Sequence, residues 1–268
     1  MTETAEPYVI HAVKYAHHPR TGAANFVDAG DLHDTPMPLD YFVWVAISKS
    51  HTFVIDTGFN AETAKARGRQ LLRCPAEGLK LVGVDAAKVQ DVIITHLHYD
   101  HVGNFELFPG ARFHLQDREM AFATGRHMAQ PFFSHAFSVD DVVGMVRQVY
   151  GGRVKLHDGD AELAPGFSVH HIGGHTDGLQ SVRVWTERGW VVLASDASHL
   201  YANMERRSPF PIVFNAGDML DGFRKLNELA DGPDHVVPGH DPLVMDRYPA
   251  SSPELEGIAV RLDLPPKA

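Results

Sequence analysis

Cysteine is almost absent from the chain, since Cys74 is the only one among 268 residues. A single thiol excludes an intrachain disulfide and a cysteine-rich zinc module. Any metal site must therefore be built from histidine and carboxylate side chains. The chain has many of both, with 18 histidines and 34 acidic residues, so spacing must decide which of them matter.

Basic clusters and long apolar runs are also missing. The formal net charge is −10, which argues against nucleic acid as the main partner. No run approaches the roughly 20 apolar residues of a membrane helix, and the polar, acidic start at Met1–Pro7 lacks the features of a signal peptide. We therefore predict a cytoplasmic protein that acts on a small molecule and has no nucleic-acid or membrane partner.

Strand-like and helix-like segments alternate along the chain in two similar halves, with no linker between them. We predict one domain over 1–268, with halves of about 1–150 and 151–268, and an α+β fold in which two sheets pack face to face with helices outside. The predicted strands are 8–15, 41–48, 51–55, 91–95, 111–115, 155–157, 161–163, 167–172, 181–185, 190–194 and 234–237. The predicted helices are 61–72, a start at 117–123, 139–149 and 219–229.

The segment 125–150 interrupts this regular pattern. It combines several aromatic residues with one predicted helix, which Ser138 would cap. The segment is either local core or a cap or dimer contact that supplies an apolar wall for the substrate, because long irregular segments often carry function. His127 and His135 lie in it without ligand spacing, and we predict both to be surface residues.

A dense group of potential metal ligands follows the predicted strand 91–95. His96, His98, Asp100 and His101 lie within six residues. Imidazole and carboxylate groups bind zinc, manganese, iron and cobalt, and a three-histidine site leaves one coordination position open for water. The spacing therefore predicts a metal site on a loop at the end of a strand.

Three further residues follow predicted strands in the same way: His175, Asp196 and His240. They complete a predicted two-ion site in which Asp196 bridges the ions. The predicted ligands are His96, His98 and His175 for one ion and Asp100, His101 and His240 for the other. Two ions about 3.5–4 Å apart would share a hydroxide whose pKa is lowered toward 7, and that hydroxide is the predicted nucleophile. Asp100 is also predicted to pass a proton to the leaving group.

Asp56 ends another predicted strand, in the turn Asp56-Thr57-Gly58. One hypothesis is that its carboxylate caps the helix that begins near Asn60. The other is that it accepts a hydrogen bond from a ligating histidine and orients that ring. The two hypotheses are compatible.

The pattern His96-x-His98-x-Asp100-His101, followed in order by His175, Asp196 and His240, resembles the metallo-β-lactamase superfamily. The resemblance covers nearly the whole chain. It implies an αββα sandwich of two mixed β-sheets flanked by helices, with a metal centre at one edge of the sheets. Two divalent ions are implied, most often Zn²⁺, with iron, manganese and cobalt as alternatives.

Within that superfamily the chain most resembles the N-acyl homoserine lactone lactonases and related lactone hydrolases, through Pro36-Met37-Pro38, Gly174–Ser181 and Asp196-Ala197-Ser198. The resemblance implies a metal-dependent lactonase, active on lactones such as the N-acyl homoserine lactones of quorum sensing, and a homodimer. Those lactonases commonly carry a tyrosine three residues after the bridging aspartate, where it contacts the substrate. This chain has His199 there and Tyr201 two residues later, so either could be the polar donor.

Three alternatives stay open on the same scaffold. A glyoxalase II-like thioesterase resembles this chain at every predicted ligand, and it would need a basic pocket for glutathione. A mono-iron sulfur dioxygenase or a non-catalytic metal-binding protein would use fewer of the ligands. The residues that could form the basic pocket are Arg206, Arg207, Arg224 and Lys225.

Overall fold

Two β-sheets form the centre of the structure, a computed structural model that describes residues 5–267. The strands are β1 (Val9–His18), β2 (Leu39–Ile47), β3 (Thr52–Ile55), β4 (Gln70–Leu71), β5 (Asp91–Ile93), β6 (Arg112–Gln116), β7 (Val154–His157), β8 (Ala161–Ala164), β9 (Phe167–His171), β10 (Gln180–Thr186), β11 (Gly189–Ser195), β12 (Val236–Pro238) and β13 (Ala259–Arg261). The helices are α1 (Ala61–Arg67), α2 (Pro75–Leu81), α3 (Tyr99–Val102), α4 (Asp117–Ala123), α5 (Pro131–Ser134), α6 (Val139–Tyr150), α7 (Tyr201–Arg206), α8 (Ala216–Leu229) and α9 (Leu243–Arg247).

The first sheet has the order β13-β1-β2-β3-β5-β6-β7, and β4 pairs with β1. Its strands from β13 to β3 are antiparallel, whereas β3, β5, β6 and β7 run parallel. The second sheet has the order β12-β11-β10-β9-β8, and only its β11–β12 pair is parallel. Both sheets are therefore mixed, as predicted.

Strand β2 explains why the sheets stack, because it is buried on both faces. Phe42 and Trp44 point to the core between the two sheets, while Tyr41, Val43 and Val45 point to the opposite face of the first sheet. Successive side chains of a strand alternate between faces, so a continuous apolar run buries both.

Helices cover the two outer faces. On the first sheet, Leu79 of α2 and Met145 of α6 pack against strand residues such as Val43. On the second sheet, Leu226 of α8 packs against Ile172 and Val192. This layer order, helices, sheet, sheet, helices, confirms the predicted αββα sandwich. Among the described residues, none of the helices combines the length and apolarity that crossing a membrane requires.

Four local predictions were wrong in detail. Helix α1 ends at Arg67 instead of continuing to residue 72, because Gly68 adopts a left-handed conformation (φ 66°) that terminates it. The last predicted strand begins only at Val236, since the residues before it form a 3₁₀ turn. Ser138 precedes α6, but its side chain makes no capping hydrogen bond. The α1 cap is the side chain of Asn60, which accepts from the Thr63 amide, and not that of Asp56.

The irregular segment 125–150 contributes to the core and to the outer surface. Met145 is fully buried, and the Phe137 ring packs edge-on against the His98 ring, with centroids 4.5 Å apart. Phe132 and Tyr150 are exposed, by 61% and 91%. The predicted dimer contact and the division into two halves stay predictions.

Candidate metal centre

The predicted ligands meet because parallel strands end at the same edge of a sheet. Ile55 of β3 pairs with Ile93 of β5, which places the loops that follow these strands side by side. In the second sheet Ser195 of β11 pairs with Pro238 of β12, so Asp196 and His240 emerge together. The two edges face each other across the sandwich, and all seven predicted ligands are buried there.

Three imidazoles form the first half of the cluster. His98 Nδ1 lies 3.0 Å from His96 Nε2 and 2.9 Å from His175 Nε2. Burial lowers the pKa of His96 and His98 well below the ordinary value, which keeps both rings in the neutral form that binds metal. Three lone-pair nitrogens therefore converge on one point.

The second half contains one carboxylate and two imidazoles. Asp100 Oδ2 lies 3.7 Å from His101 Nε2 and 3.8 Å from His240 Nε2. His101 Nε2 is buried and has no hydrogen-bond partner among the described residues. These groups lie within 4.8 Å of one another, as do those of the first half together with Asp196.

Asp196 faces both halves at once. Its Oδ2 lies 3.1 Å from His175 Nε2 and 3.7 Å from His96 Nε2. Its Oδ1 lies 2.9 Å from His240 Nε2 and 3.3 Å from His101 Nε2. One carboxylate oxygen toward each group of imidazoles is the geometry expected of a bridging ligand.

Hydrogen bonds on the outer side of the rings orient the inner nitrogens. His101 Nδ1 lies 2.7 Å from Asp56 Oδ2, and Asp56 also accepts from the amide and hydroxyl of Thr95. Asp56 therefore takes the orienting position that was one of the two hypotheses for it. In the same way His175 Nδ1 donates to the Ile212 carbonyl at 2.7 Å.

His240 Nδ1 makes the corresponding bond to the carbonyl oxygen of Asp40, at 3.0 Å. A ring that donates through Nδ1 carries its lone pair on Nε2, which points into the cluster in His101, His175 and His240. Converging imidazole nitrogens and buried carboxylates fit a pair of divalent cations such as Zn²⁺.

The backbone at two of the strand ends is strained. Asp56 and Ser195 adopt φ values of 62° and 48°, a left-handed conformation that ordinary residues avoid. Such residues cost on the order of 1–3 kcal/mol each and persist only where the surroundings enforce them. Ser195 ends β11, and its hydroxyl donates at 2.8 Å to the hydroxyl of Thr95, which follows β5. This hydrogen bond joins the edges of the two sheets at the cluster and holds Ser195 in its strained conformation.

Glu119 holds the two ligand loops together, and the sequence analysis missed it. Its carboxylate is fully buried and accepts from the Leu97 amide at 2.9 Å, the Thr176 hydroxyl at 2.6 Å and the Gly178 amide at 3.1 Å. Burial raises its pKa, while these three bonds act in the opposite direction. An acidic residue in the first turn of a helix gives no sequence signal for this role.

A cavity of about 320 Å³ opens directly over the cluster. Its floor includes His98, Asp100, Asp196, His199 and His240. His135, predicted to be a surface residue, is exposed and lines the cavity as well. The remaining lining residues are Arg20, Leu39, Tyr41, Arg67, Arg69, Tyr99, Ala136, Phe210, Pro211 and Ile212.

The two predicted donors occupy different places. His199 lies in the cluster, with Nε2 3.1 Å from Asp196 Oδ2 and its ring stacked on Phe210 at 3.7 Å. Tyr201 begins α7, packs in the core between the sheets and lines a separate cavity beside Arg247. The turn into α7 thus places its ring away from the cluster, so its position does not support the predicted catalytic role, which stays a prediction.

The four basic residues that were offered for a glutathione pocket lie away from this cavity. Arg224 pairs with Glu228 on the exposed face of α8, and Lys225 pairs with Asp160. Arg206 and Arg207 line a different surface depression. None of these four lines the cavity over the cluster.

Comparison with known proteins identifies the relatives of the chain. Residues 37–240 match the sequence model of the metallo-β-lactamase superfamily. An N-acyl homoserine lactonase of a Bacillus species is 30% identical over 165 residues, which cover 61% of this chain and 60% of that protein. The chain thus aligns with about three fifths of the length of that relative.

Two further comparisons cover more of the chain. The N-acyl homoserine lactonase AttM of Azorhizobium caulinodans is 29% identical over 249 residues, 84% of this chain and 88% of that protein. A solved N-acyl homoserine lactone hydrolase, with the product N-hexanoyl-L-homoserine bound at its catalytic metal centre, is 21% identical with a TM-score of 0.72. It covers 91% of this chain and 96% of that one. The structural likeness establishes a common fold.

Proposed function

The chain belongs to the metallo-β-lactamase superfamily, and we propose that it is a metal-dependent hydrolase that opens the ring of a lactone. The observation that carries this proposal is the position of Asp196 at the floor of an open cavity. Its Oδ2 faces one group of imidazoles and its Oδ1 faces the other. The curated relatives named above, N-acyl homoserine lactonases, support a lactone as the substrate class. An N-acyl homoserine lactone is accordingly the first substrate to test.

The seven converging residues are the proposed ligands of two divalent cations. His96, His98 and His175 would hold one and Asp100, His101 and His240 the other, with Asp196 shared. When bound, the cations supply Lewis acidity toward the ester carbonyl and lower the pKa of water so that it attacks at neutral pH. Zn²⁺ suits this donor set best, and the small-molecule lactone is the proposed partner.

Two residues at the cavity floor are proposed to act on the substrate directly. Asp100 lies on the floor, where its carboxylate can accept the proton that the attacking water gives up and pass it to the alkoxide that leaves when the ring opens. His199 is held by Asp196 and Phe210 with its ring toward the same cavity. We propose that it contacts the substrate carbonyl or the leaving oxygen in place of the tyrosine found at this position in similar lactonases.

The four basic residues offered for the thioesterase alternative lie outside the cavity, although Arg20, Arg67 and Arg69 line it. An acyl glutathione therefore belongs in the test, since its carboxylates suit a cationic wall.

The test is a substrate panel on zinc-reconstituted protein, combined with metal analysis. The panel contains N-hexanoyl-L-homoserine lactone, γ-butyrolactone and S-lactoylglutathione. We expect two zinc ions per chain and ring opening of the lactones, measured as proton release. Asp196→Ala should bind fewer than two ions and lose activity, while Asp177→Asn, a half-buried aspartate outside the cluster, should keep both.

The outcomes separate the alternatives. Turnover of the thioester but of neither lactone would replace the proposal by the thioesterase. Two bound ions without turnover of any substrate would favour a non-catalytic metal protein. Undiminished turnover and two ions in Asp196→Ala would refute the bridging assignment.

A further inference from the structure

The wall of the cavity opposite the cluster is cationic. Arg20, Arg67 and Arg69 line the same cavity as Asp100 and Asp196. Within residues 5–267, the arginines in salt bridges with carboxylates are other ones, at positions 112, 118, 224 and 261. The three guanidinium groups of the cavity therefore have no acidic partner in the described part of the chain.

Arg69 has hydrogen-bonding capacity to spare. Its Nε donates to the Tyr99 hydroxyl at 3.0 Å and its Nη1 to the Arg67 carbonyl at 2.6 Å. Nη2 makes no hydrogen bond to any described residue. The two neutral partners hold the half-buried side chain in place without neutralising it.

Arg20 is placed in a similar way. Its Nε donates to Asn25 Oδ1 at 2.7 Å and its Nη2 to the Ala24 carbonyl, which leaves Nη1 without a partner among the described residues. Its guanidinium lies 5.0 Å from the centre of the Phe210 ring, which borders the same cavity. Burial lowers the pKa of Arg20 and the charge of Arg69 lowers it further, so the two cations on this wall repel each other.

Half-buried charges without a partner are unfavourable, and proteins usually pair them. Burial lowers the pKa of Arg69, but Tyr41, Tyr99 and the Asp100 carboxylate, which lines the same cavity, together raise it. Asp100 is, however, a proposed metal ligand, and a divalent cation would more than neutralise it. Two divalent ions with Asp100, Asp196 and the shared hydroxide would leave one positive charge on the floor, and the arginine wall adds three more.

We propose that the lactone carries a carboxylate, bound by Arg69 and Arg20 while the ring lies over the cluster. This inference rests on the proposed lactonase function and narrows its substrate class. The guanidinium group has a planar fork that matches a carboxylate, and charged hydrogen bonds of this kind are stronger than neutral ones. The hydroxyls of Tyr41 and Tyr99 hydrogen-bond to each other at 3.3 Å on the same wall, which leaves one of the two O–H groups as a further donor.

The proposal distinguishes this chain from an enzyme for neutral lactones. N-Acyl homoserine lactones carry no charge, so they would leave the arginine wall unpaired. A lactone that carries a carboxylate would neutralise part of the wall. Because the arginines would bind this carboxylate in the ground state as well as in the transition state, its KM should be lower than that of a neutral lactone, with a similar kcat.

The test compares two lactones that differ only in charge: γ-butyrolactone bearing a carboxylate at the γ-carbon, and the corresponding carboxamide. On zinc-reconstituted enzyme we expect kcat/KM to favour the carboxylate by about 10–100-fold, the range of one or two charged hydrogen bonds. Arg69→Gln should reduce this ratio toward one, mainly through the KM of the carboxylate. Arg69→Lys should keep part of it, because the charge remains and the fork is lost.

The matched control is Arg224→Gln, which removes an exposed arginine far from the cavity and should leave the ratio unchanged. Thermal unfolding of each variant identifies any that fails to fold, in which case Arg20→Gln replaces Arg69→Gln. Equal kcat/KM for the two lactones, or a ratio that survives both Arg69→Gln and Arg20→Gln, would overturn the carboxylate site while leaving the lactonase proposal intact.

If neither lactone is hydrolysed, the substrate panel described above decides the proposed function, and the anion site is tested by binding instead. Calorimetry with the ring-opened dicarboxylate and its monoamide on the same zinc protein measures the site directly. Tighter binding of the dicarboxylate that depends on Arg69 would retain the site. Equal binding of both would reject it.

Discussion

The two walls of the cavity are built in opposite ways. On the cluster wall every proposed ligand is buried, and outer hydrogen bonds to Asp56, Ile212 and Asp40 fix the rings of three histidines. On the arginine wall the side chains are half-exposed, held by backbone carbonyls and neutral groups, with donors left over. The cluster wall is preorganised for one chemistry. On the arginine wall, a single substitution can change which substrate binds best.

This difference separates catalysis from specificity. Removing a group from the buried wall should affect the metal and the rate for every substrate, because the proposed ligands are buried and three of their rings are held by a group behind them. Removing a group from the half-exposed wall should change which substrate is preferred. The predictions below test this division.

Metal removal should have the largest effect. Dialysis against a chelator should abolish hydrolysis of all lactones, and added Zn²⁺ should restore it. Because metal binds the folded state, zinc at 100 times Kd should increase the free energy of unfolding by about 2.7 kcal/mol for one site. The melting temperature should therefore rise with the concentration of free zinc. Scanning calorimetry at several zinc concentrations measures this, and a melting temperature independent of zinc would contradict the metal centre.

Asp56→Asn should weaken metal binding by about 10–100-fold, the usual cost of losing a carboxylate behind a ligating histidine. The amide no longer supplies the charged acceptor for His101 Nδ1, so the ring loses its orientation. Competition with a chelating dye measures the zinc affinity. Asp177→Asn provides the control, and an unchanged affinity in Asp56→Asn would show that His101 needs no support.

His199→Ala should lower kcat by about tenfold or more, because it removes a proposed donor from the cavity floor. Tyr201→Phe should stay within about twofold of the parent, since its ring lines a different cavity. Steady-state kinetics on one lactone compares the two variants. The reverse order of effects would restore Tyr201 as the donor.

Glu119→Gln should destabilise the metal-free protein by about 1–3 kcal/mol, because an amide NH₂ placed toward Leu97, Thr176 or Gly178 cannot accept their hydrogen bonds. Chemical denaturation of the apo protein measures the loss. The exposed Glu62→Gln on α1 is the control and should change stability by less than about 0.5 kcal/mol. An equal loss in both variants would show that Glu119 does not join the loops.

Salt should have the smallest effect, and only on the half-exposed wall. Raising ionic strength from 0.02 to 0.5 M should lower kcat/KM for the carboxylated lactone by a few-fold, because partly exposed charges are screened. The carboxamide should respond much less. Parallel kinetics at the two salt concentrations checks this, and identical responses would argue against a charge-selective wall.

The sequence by itself determined the layers and the strand ends. Alternation of apolar residues predicted nearly every strand, and His96, His98, Asp100 and His101 were found because they follow one strand at close spacing. The convergence of His175, Asp196 and His240 could be predicted because each also follows a strand. Strand β12 runs parallel to β11, and β9 and β11 are both antiparallel to β10, so these three strands end at one edge. Ligation by these seven residues stays a prediction until metal is measured.

Only the tertiary structure decided what surrounds those ligands. Arg20 follows β1 and Arg69 follows α1, far along the chain from the histidines that they face. Glu119 and Tyr201 each begin or lie near a helix start, where a local pattern does not reveal which way the side chain points. The spacing of residues in the sequence indicates which side chains are neighbours along the chain. The charge balance of a cavity depends instead on loops from different sheets, and these loops come together only when the sheets pack.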